Sequence, residues 1–402
     1  MEAAEYPDKM HEHSLMYQAN KKVWEVKQMN VFPEIKNKFG FGCMRLPMIG
    51  NDVDIEQFKK MADYFIENGF NYFDTAHGYL DGKSEIAIKE ALTSRYPRQS
   101  YILTDKLTGV YFTKEEDVRP FFLNQLEILG VDYLDFYLMH AQNATDFEKF
   151  KRCHAYETAL ELKKEGKIRH FGISFHDNAD VLDKILTEYP QIEVVQIQFN
   201  YLDYNDDAVQ SRKVYETAAK HGKPVIVMEP VKGGSLVNLP PKGQKILDEL
   251  HGGSNASYAI RFAAGFDSNR VVLSGMSTLD QMEDNVSFMK EFKPLSDPEK
   301  DALTKVVDSF HELELIPCTA CHYCVEENHC PKHIRIPELF SCMNKKKAFG
   351  DWNQDYYYNS VLTIGENSRA GECIECGGCE RVCPQKLPIR KLLKEVSAQF
   401  DK

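Results

Sequence analysis

The chain has 402 residues, of which 43% are hydrophobic and 27% are charged, and its formal net charge is −12. This length predicts two domains, one of which can be a large barrel. The negative charge argues against nucleic acid or an anionic membrane as partner, because both require a surplus of Lys and Arg. No apolar run approaches the ~18 residues of a membrane span. The N-terminal sequence has no basic stretch followed by an apolar one, so we predict a cytoplasmic protein.

The first part of the chain, residues 1–35, has no barrel pattern and is predicted to be an N-terminal arm. From residue 36 to residue 293, short β-rich runs alternate with segments of helical periodicity. Most of these runs are continuously apolar, as expected of parallel strands that are buried on both faces. The predicted strands are FGFGCMRL (39–46), NYFDTA (71–76), YILTDKL (101–107), DFYLMH (135–140), HFGIS (170–174), VVQIQFN (194–200), PVIVMEP (224–230) and RVVLSGM (270–276).

Strand–helix units of this number in about 250 residues predict an α/β fold of the (β/α)8 TIM barrel type. Helical segments such as DIEQFKKMADYFIENG have apolar residues at i, i+3 and i+4 and end in a glycine suited to a C-terminal cap. A doubly wound sheet is the alternative, but no G-x-G-x-x-G follows the first strand. The polar break KPLSDPEK then opens a predicted linking helix at residues 294–316.

Cysteines are concentrated near the C-terminal end. Of eleven, only Cys43 and Cys153 precede Cys318, and the rest lie between Cys318 and Cys383. This distribution predicts a metal domain, residues 317–402, appended to a cysteine-poor one. It contains two motifs of similar form, Cys318-x2-Cys321-x2-Cys324-x5-Cys330-Pro331 and Cys373-x2-Cys376-x2-Cys379-x3-Cys383-Pro384.

The spacing of these cysteines indicates iron–sulfur clusters. Three thiolates spaced by two residues can wrap one corner of a cubane, and a fourth comes from farther along the chain. Two zinc sites, each with four cysteine ligands, and disulfides are the rival interpretations. Zinc ligands usually come as separated pairs, so the pattern favours clusters. Cys342, which lies between the motifs, is predicted to be a small buried hydrophobic residue.

Over about residues 318–386 the motifs resemble those of bacterial two-cluster ferredoxins, in which the last cysteine of each motif binds the other cluster. The resemblance implies a small ferredoxin-like domain of helices and loops that holds two [4Fe–4S] clusters. One departure is the longer spacing before Cys330, which lengthens a loop. The implied ligands are Cys318, Cys321, Cys324 and Cys383 for cluster one, and Cys373, Cys376, Cys379 and Cys330 for cluster two.

Polar residues lie at or just after the C-terminal ends of the predicted strands, where the active sites of such barrels lie. They are Asp74, Tyr79, Lys106 and His140. Taken singly, each has an ordinary structural interpretation, as a loop cap, a surface charge or a core aromatic residue. Together, an Asp–Lys pair beside a tyrosine suits proton delivery, because the ammonium lowers the pKa of the phenol and the carboxylate keeps the lysine charged.

FDTAHGY…GKSE, ILTDKL and FYLMH resemble the aldo-keto reductase superfamily, with the spacing of its Asp–Tyr–Lys–His tetrad. The resemblance runs from GFGCMRLP to DQMEDN, and with the cysteine motifs the chain is similar to the iron–sulfur-containing bacterial branch. It implies an NAD(P)H-dependent oxidoreductase that transfers a hydride to the carbonyl carbon of a small-molecule substrate. Tyr79 would protonate the oxygen, tuned by Lys106 and Asp74, and His140 would orient the carbonyl.

The resemblance also implies contacts with the nucleotide, although this sequence matches the family at these positions less well than at the tetrad. Gly275 and Gln281 stand where basic residues for the 2′-phosphate of NADPH are usual, and Met228 stands where a stacking aromatic residue is usual. NADPH and NADH therefore both remain open. The implied contacts are Ser174, Gln196, Met228, Gly233, Gly234, Gly275, Gln281, Asp284 and Asn285.

Alternative functions remain at this point. In one, the clusters shuttle electrons between the barrel and a ferredoxin or flavoprotein partner. In another, the barrel is a binding module that has lost its chemistry, against which the complete tetrad argues. A metal hydrolase using His77, His140 and His176 is a further alternative, but the His-x-His strand end typical of metal barrels is missing and Lys106 would oppose a cation.

Overall fold

The computed structural model describes residues 31–206, 209–326, 330–349 and 353–401. The residues from Asn37 onward belong to one compact unit, which contains both the strand–helix region and the cysteine motifs. Of the predicted arm, residues 1–30 lie outside the described residues.

Eight parallel strands close into a barrel in the order β1-β10-β9-β8-β7-β6-β5-β4. The remaining pair, β2 and β3, forms a small antiparallel hairpin between the first barrel strand and the first helix. The strands are β1 (Phe39–Gly42), β2 (Met48–Ile49), β3 (Asp52–Val53), β4 (Tyr72–Asp74), β5 (Ile102–Leu107), β6 (Leu134–Gln142), β7 (Ile168–Phe175), β8 (Val194–Gln198), β9 (Val225–Met228) and β10 (Asn269–Gly275). The predicted (β/α)8 barrel is confirmed.

Helices connect the strands and surround them. From α1 to α11 they are Ile55–Glu67, Lys83–Ile88, Glu115–Leu129, Ala144–Arg152, Ala155–Lys164, Ala179–Glu188, Ser211–Lys220, Pro241–Asp248, Asn255–Ala264, Leu279–Lys290 and Asp297–His311. The cysteine segment adds α12 to α16, which are Tyr323–Glu326, Ile336–Phe349, Asn353–Tyr357, Gly378–Arg381 and Ile389–Phe400. None of these described helices combines the length and the apolar character that crossing a membrane requires.

Each predicted strand differs from the observed one at one end or both, and two of these differences shape the rim. The predicted strand 39–46 ends at Gly42, because Cys43–Arg45 form a 3-10 turn. The fourth barrel strand, β6, continues past His140 to Gln142, with an irregular register between Met139 and Gln142 and a positive φ of 52° at Ala141. An irregularity of this kind changes the direction of neighbouring side chains, and His140 lies within it.

Apolar side chains fill the space between the barrel and its helices. Phe41 of β1 contacts Phe58 edge-on, and Phe65 stacks on Phe70, with ring centroids 5.6 and 5.1 Å apart. Aromatic residues therefore join the first strand to helix α1, and burial of such rings supplies much of the stability of the fold.

Helix α11 packs against the barrel instead of spanning a gap. Ser296 and Glu299 form a capping box at its start, in which Glu299 Oε2 accepts from the Ser296 amide at 2.7 Å. Arg261 of helix α9 donates to Glu299 at 2.8 Å. Leu303 and Val306 lie in a buried cluster with Leu239 and Leu247 of the barrel side. The helix falls within the predicted linking segment 294–316.

The cysteine segment has its own apolar core beneath the cysteines. Leu339 and Phe340 of α13 pack with Leu393 and Val396 of α16 in one buried cluster. Cys342 belongs to this core, is 2% exposed, and lies apart from the two motifs along α13. It behaves as the small hydrophobic residue expected from the sequence.

Candidate active site and cysteine centres

Lys106 occupies the centre of the rim and joins two other predicted site residues, Asp74 and Tyr79. Its ammonium donates to Asp74 Oδ1 at 2.6 Å, to the Thr75 carbonyl at 2.7 Å and to the Tyr79 hydroxyl at 3.2 Å. The side chain is inaccessible to solvent. Strands β4 and β5 are paired so that Asp74 lies opposite Thr104. Lys106 follows Thr104 by two residues, so its side chain is on the same face of β5 as that of Thr104. The structure thus brings Asp74, Lys106 and Tyr79 together.

Burial and charge act on this group in opposite directions. Although burial disfavours the ammonium of Lys106, Asp74 and Tyr79 together raise its pKa above the usual value. Burial raises the pKa of Tyr79, and Lys106 offsets only part of that increase. The expectation that the lysine lowers the phenol pKa below its ordinary value is therefore wrong in direction, because the loss of water exceeds the attraction of the ammonium. Tyr79 stays protonated at neutral pH.

A second buried polar group supports strand β5 from the outer side. Gln125 donates from Nε2 to Asp105 Oδ2 at 2.9 Å, to Glu85 Oε1 at 3.2 Å and to the Lys106 carbonyl at 3.1 Å. Tyr137 donates to Gln125 Oε1 at 2.7 Å. Burial, reinforced by Glu85, raises the pKa of Asp105 well above its ordinary range. The sequence analysis did not identify this group, although an Asp and a Glu in apolar segments were a signal for it.

His140 faces the same rim with both ring nitrogens occupied. Its Nδ1 is hydrogen-bonded to Thr108 Oγ1 at 2.7 Å, and its Nε2 lies 3.4 Å from the hydroxyl of Tyr323. Its ring contacts that of Tyr79 edge-on, with centroids 6.0 Å apart. Burial, with further contributions from Lys106 and His176, holds the pKa of His140 well below its usual value. The imidazole is therefore neutral at physiological pH.

One cavity, which we call the main cavity, is lined by Asp74, Tyr79 and His140 and by all nine residues implied to contact the nucleotide. Ser174 Oγ is buried there and has no hydrogen-bond partner among the described residues, which leaves a donor and an acceptor for an amide group of a ligand. Gln196 donates to Asp74 Oδ2 at 2.9 Å, so it also braces the ion pair. Asn285 donates to Ser274 at 3.0 Å and Asp284 accepts from Ser254 at 2.6 Å. The polar groups that line this cavity suit a nicotinamide dinucleotide.

Gly233 has a structural requirement that the sequence did not reveal. Its φ is +63°, and an added Cβ would lie 2.2 Å from the carbonyl oxygen of Thr319 in the cysteine segment. Gly234 has a φ of +101° with open space around the Cβ position. Both line the main cavity, but the lack of a side chain at Gly233 is required by contact with the cysteine segment.

The cysteine segment is attached to the barrel rim by hydrogen bonds. Arg45 donates to the carbonyls of Thr319 and Ala320 at 2.9 and 3.5 Å. The amides of Gln198 and Gln385 bond reciprocally at 2.9 and 2.8 Å. A further ion pair joins Lys386 to Asp177. These contacts place residues of both cysteine motifs over the C-terminal rim of the barrel.

The same attachment brings the cysteine segment into the site. Cys321, Tyr323 and Pro384 line the main cavity, and Cys321 and Tyr323 also line an adjoining cavity with Tyr79 and His140, which we call the side cavity. Sequence reasoning identified the tetrad and the cysteines but did not place them next to each other. Arg45 and Tyr323 were also missed: Arg45 is not part of the predicted tetrad, and Tyr323 stands at a position of the first cysteine motif where the motif specifies no residue type.

The cysteines are grouped across the two motifs. Burial raises the pKa of the thiols of Cys318, Cys321 and Cys324, and Cys383 contributes to each of these increases. Cys383 therefore lies near the first motif. Cys330 lines one cavity together with Cys373, Cys376 and Cys379. Each motif thus has the last cysteine of the other motif in its neighbourhood, as ligand exchange between two clusters requires. Within the described residues, no three His, Cys, Asp or Glu side chains are grouped closely enough to hold a single metal ion.

The histidines of the metal-hydrolase alternative have other partners or none. His77 Nδ1 is hydrogen-bonded to Glu85 Oε2 at 2.7 Å. His77 lines neither the main cavity nor the side cavity. His176 lines the main cavity, its Nδ1 is buried without a partner, and burial lowers its pKa to about 4.

Gly233→Ala should displace the cysteine segment, because the new methyl group overlaps the Thr319 carbonyl. Gly234→Ala is the matched control, since it has the same type of backbone strain without the overlap. We expect trypsin to cleave within residues 317–401 several-fold faster in Gly233→Ala than in Gly234→Ala, measured by mass spectrometry of the fragments. Equal rates would show that the Gly233 contact does not hold the segment.

Comparison with known proteins agrees with this architecture. The model of the aldo/keto reductase family matches residues 38–308, and that of the 4Fe-4S dicluster domain matches residues 317–388. The NADH-specific methylglyoxal reductase of Escherichia coli is 29% identical over 207 residues, which cover 47% of this chain and 59% of that enzyme. The L-galactose dehydrogenase of Arabidopsis thaliana is 26% identical over 64% of this chain and 85% of its own length.

Solved structures share the barrel. The holo form of an aldo-keto reductase from Bacillus halodurans has a TM-score of 0.54 and 26% identity, covering 67% of this chain and 92% of that one. An aldo-keto reductase from Klebsiella pneumoniae in complex with NADPH has a TM-score of 0.55, with coverage of 67% and 90%, and at 18% identity it shows the fold alone. The resemblance stated from the sequence is confirmed. The chain belongs to the aldo/keto reductase family and carries a 4Fe-4S dicluster domain after its barrel.

Proposed function

We propose that the chain is a nicotinamide-dependent carbonyl reductase in which Tyr79 is the acid. The observation that carries this proposal is the Lys106 ammonium, which is hydrogen-bonded to both Asp74 and Tyr79, two residues that line the main cavity. A small carbonyl substrate is supported by the relative that is named as a methylglyoxal reductase.

Tyr79 has the properties of an acid in the reductive direction. Its hydroxyl is protonated at neutral pH, and Lys106 lies 3.2 Å away to stabilise the phenolate left after the proton departs. Asp74 keeps Lys106 charged through the 2.6 Å contact. Neutral His140 lies beside Tyr79 and can donate one hydrogen bond to the substrate oxygen, so that oxygen is oriented by two groups.

The nucleotide would be held by residues of strands β7 to β10 and the loops that follow them. Ser174 offers an unpartnered hydroxyl for the carboxamide, Met228 offers an apolar surface, and Asp284 and Asn285 lie at the other end of the cavity. A reduced nicotinamide, when bound, supplies the hydride. The protein holds the cofactor beside Tyr79 and excludes water from the buried lysine.

We also propose two [4Fe–4S] clusters with ligands exchanged between the motifs. The neighbourhood of Cys383 with the first motif, and the cavity that Cys330 shares with the second, support this exchange. For the domain organisation we propose an arm at 1–35, a barrel at 36–293, a linking helix at 294–316 and a cluster domain at 317–402. A cytoplasmic location remains a proposal from the sequence.

An electron-transfer function is the second candidate, and one observation favours it. Cys321, an implied ligand of cluster one, lines the same cavities as Tyr79 and His140, whereas Cys376 of the second motif is exposed. Electrons could thus enter from a ferredoxin or flavoprotein at cluster two and reach the barrel site through cluster one. Bleaching of the cluster absorption band by NADH or NADPH under anaerobic conditions would support this function, and an unchanged band would leave the clusters structural.

Tyr79→Phe should reduce turnover of methylglyoxal by at least about 100-fold, because the ring remains but the proton donor is lost. Nucleotide affinity should change little, since the hydroxyl faces Lys106. Tyr111→Phe, which alters another tyrosine of the side cavity, is the control. Steady-state kinetics and fluorescence titration with NADPH measure the two effects. Near-full activity of Tyr79→Phe would refute the assignment of the acid.

Anaerobically purified protein should contain about eight iron and eight labile sulfide atoms per chain. Cys383→Ser should lower both by about half and remove the electron paramagnetic resonance signal of the cluster beside the barrel. Cys342→Ala, which replaces a buried thiol outside the two groups, should leave both unchanged. Stoichiometric zinc would refute the clusters, and loss of only the cluster held by Cys373 would refute the exchanged ligands.

NADPH should have little or no advantage over NADH in affinity. Gly275 and Gln281 offer no charge to the 2′-phosphate, and a charge-assisted hydrogen bond is the usual source of that preference. Lys232 cannot replace them, because it is 1% exposed and paired with Asp203. Competition binding of the two nucleotides tests this. A hundredfold preference for NADPH would show that another cation, with Arg45 the first to examine, binds the phosphate.

A further inference from the structure

We propose that Tyr323, supplied by the cysteine segment, is a positioning residue of the barrel active site that acts through His140. This inference rests on the proposed reductase function and extends it to a residue outside the barrel. Tyr323 begins helix α12 and lies between Cys321 and Cys324 in the first motif. Its side chain lines both cavities together with His140.

The contact between Tyr323 and His140 completes the hydrogen bonding of the imidazole. Thr108 occupies Nδ1 at 2.7 Å and Tyr323 lies 3.4 Å from Nε2, with the two rings edge-on and their centroids 6.3 Å apart. A neutral imidazole has one donor and one acceptor nitrogen, so its two partners determine which nitrogen presents the proton. Tyr323 is therefore one of the two groups that orient the ring, and it is the one at Nε2.

The long distance on the Nε2 side is what such a role requires. The Thr108 bond is short and holds the outer side of the ring, whereas the contact with Tyr323 is near the limit of a hydrogen bond. A carbonyl oxygen that enters the cavity can take up the Nε2 bond without breaking a strong interaction. The ring of Tyr323 then stays in contact with the imidazole of His140 and keeps that imidazole oriented toward Tyr79.

The position of Tyr323 is determined by the attachment of the segment and not by the barrel alone. The preceding residues Thr319 and Ala320 are bonded to Arg45, and Thr319 sits against Gly233. The flanking residues Cys321 and Cys324 are implied ligands of cluster one. The first motif thus carries an active-site residue into place, which gives that cluster a role in substrate positioning even if no electron passes through it.

A double-mutant cycle separates action through His140 from an independent effect. In an otherwise unchanged holoprotein, Tyr323→Phe should lower kcat/KM for methylglyoxal by about 3- to 10-fold, as expected for loss of one hydrogen bond. The loss should appear in kcat more than in KM. In the His140→Ala background, Tyr323→Phe should have no further effect. Tyr357→Phe, which alters an exposed tyrosine of the same segment, is the control.

A second measurement does not depend on turnover. Diethyl pyrocarbonate modifies neutral imidazole, and peptide mass spectrometry follows the modification at His140. Tyr323→Ala should increase the rate at His140 several-fold while iron content stays unchanged, and Tyr357→Phe should not increase it.

The outcomes distinguish the two proposals. An unchanged rate of modification, a normal kcat/KM in Tyr323→Phe, or equal losses in the presence and absence of His140 would overturn the role of Tyr323. If His140→Ala alone leaves kcat/KM unchanged, the proposed function is wrong about His140, and the modification rate still decides whether Tyr323 covers the ring.

Discussion

The buried ion pair between Lys106 and Asp74 is the interaction on which the rest of the site depends. An ammonium without access to solvent is stable only if its charge is compensated, and breaking such a pair by removing one partner typically costs about 3–5 kcal/mol. Asp74 compensates it at 2.6 Å, and Gln196 orients the second carboxylate oxygen from across the barrel. The positive charge of Lys106 acts to lower the pKa of Tyr79, of His140 and of His176.

Hydrogen bonding to buried partners also explains how polar residues can be buried behind strand β5. Asp105 faces away from the cavity, and Gln125 ties it to Glu85 and to the backbone of Lys106. Polar groups at this depth are tolerated because each donor finds an acceptor. The strand that carries the lysine is thereby held from both faces. A reacting group placed on such a rigid element keeps its geometry better than one on a loop.

The C-terminal rim of the barrel forms the candidate active site and also binds the cysteine segment. In barrels of this kind the loops after the strands build the active site. Here the same loops also receive the cysteine segment, through Arg45, Gln198 and Gly233. The segment closes part of the main cavity with Cys321, Tyr323 and Pro384. Cys321, an implied cluster ligand, lines the same cavities as Tyr79 and His140. This arrangement is compatible with a structural role for the clusters and with electron transfer to the barrel site.

Sequence alone determined the barrel, the cysteine motifs and the tetrad, because each has a local signature. Buried parallel strands appear as apolar runs, cluster ligands have characteristic spacing, and Asp74, Lys106 and His140 lie near the C-terminal ends of their strands. Strand ends were less certain. The Cys43–Arg45 turn and the irregularity around Ala141 depend on contacts made by the folded chain, which hydrophobic periodicity does not encode.

Only the tertiary structure decided how the two halves meet. Tyr323 reaches His140 across 183 positions of the chain, and Gln385 reaches Gln198 across 187. Nothing in the sequence indicates that Tyr323 is the partner of His140, or that Gln385 is the partner of Gln198. The direction of the Tyr79 pKa shift was predicted wrongly, because it depends on how much burial removes water from the phenol relative to the attraction of Lys106. Sequence patterns report local backbone and spacing, whereas desolvation and long-range contacts arise only when the segments pack together.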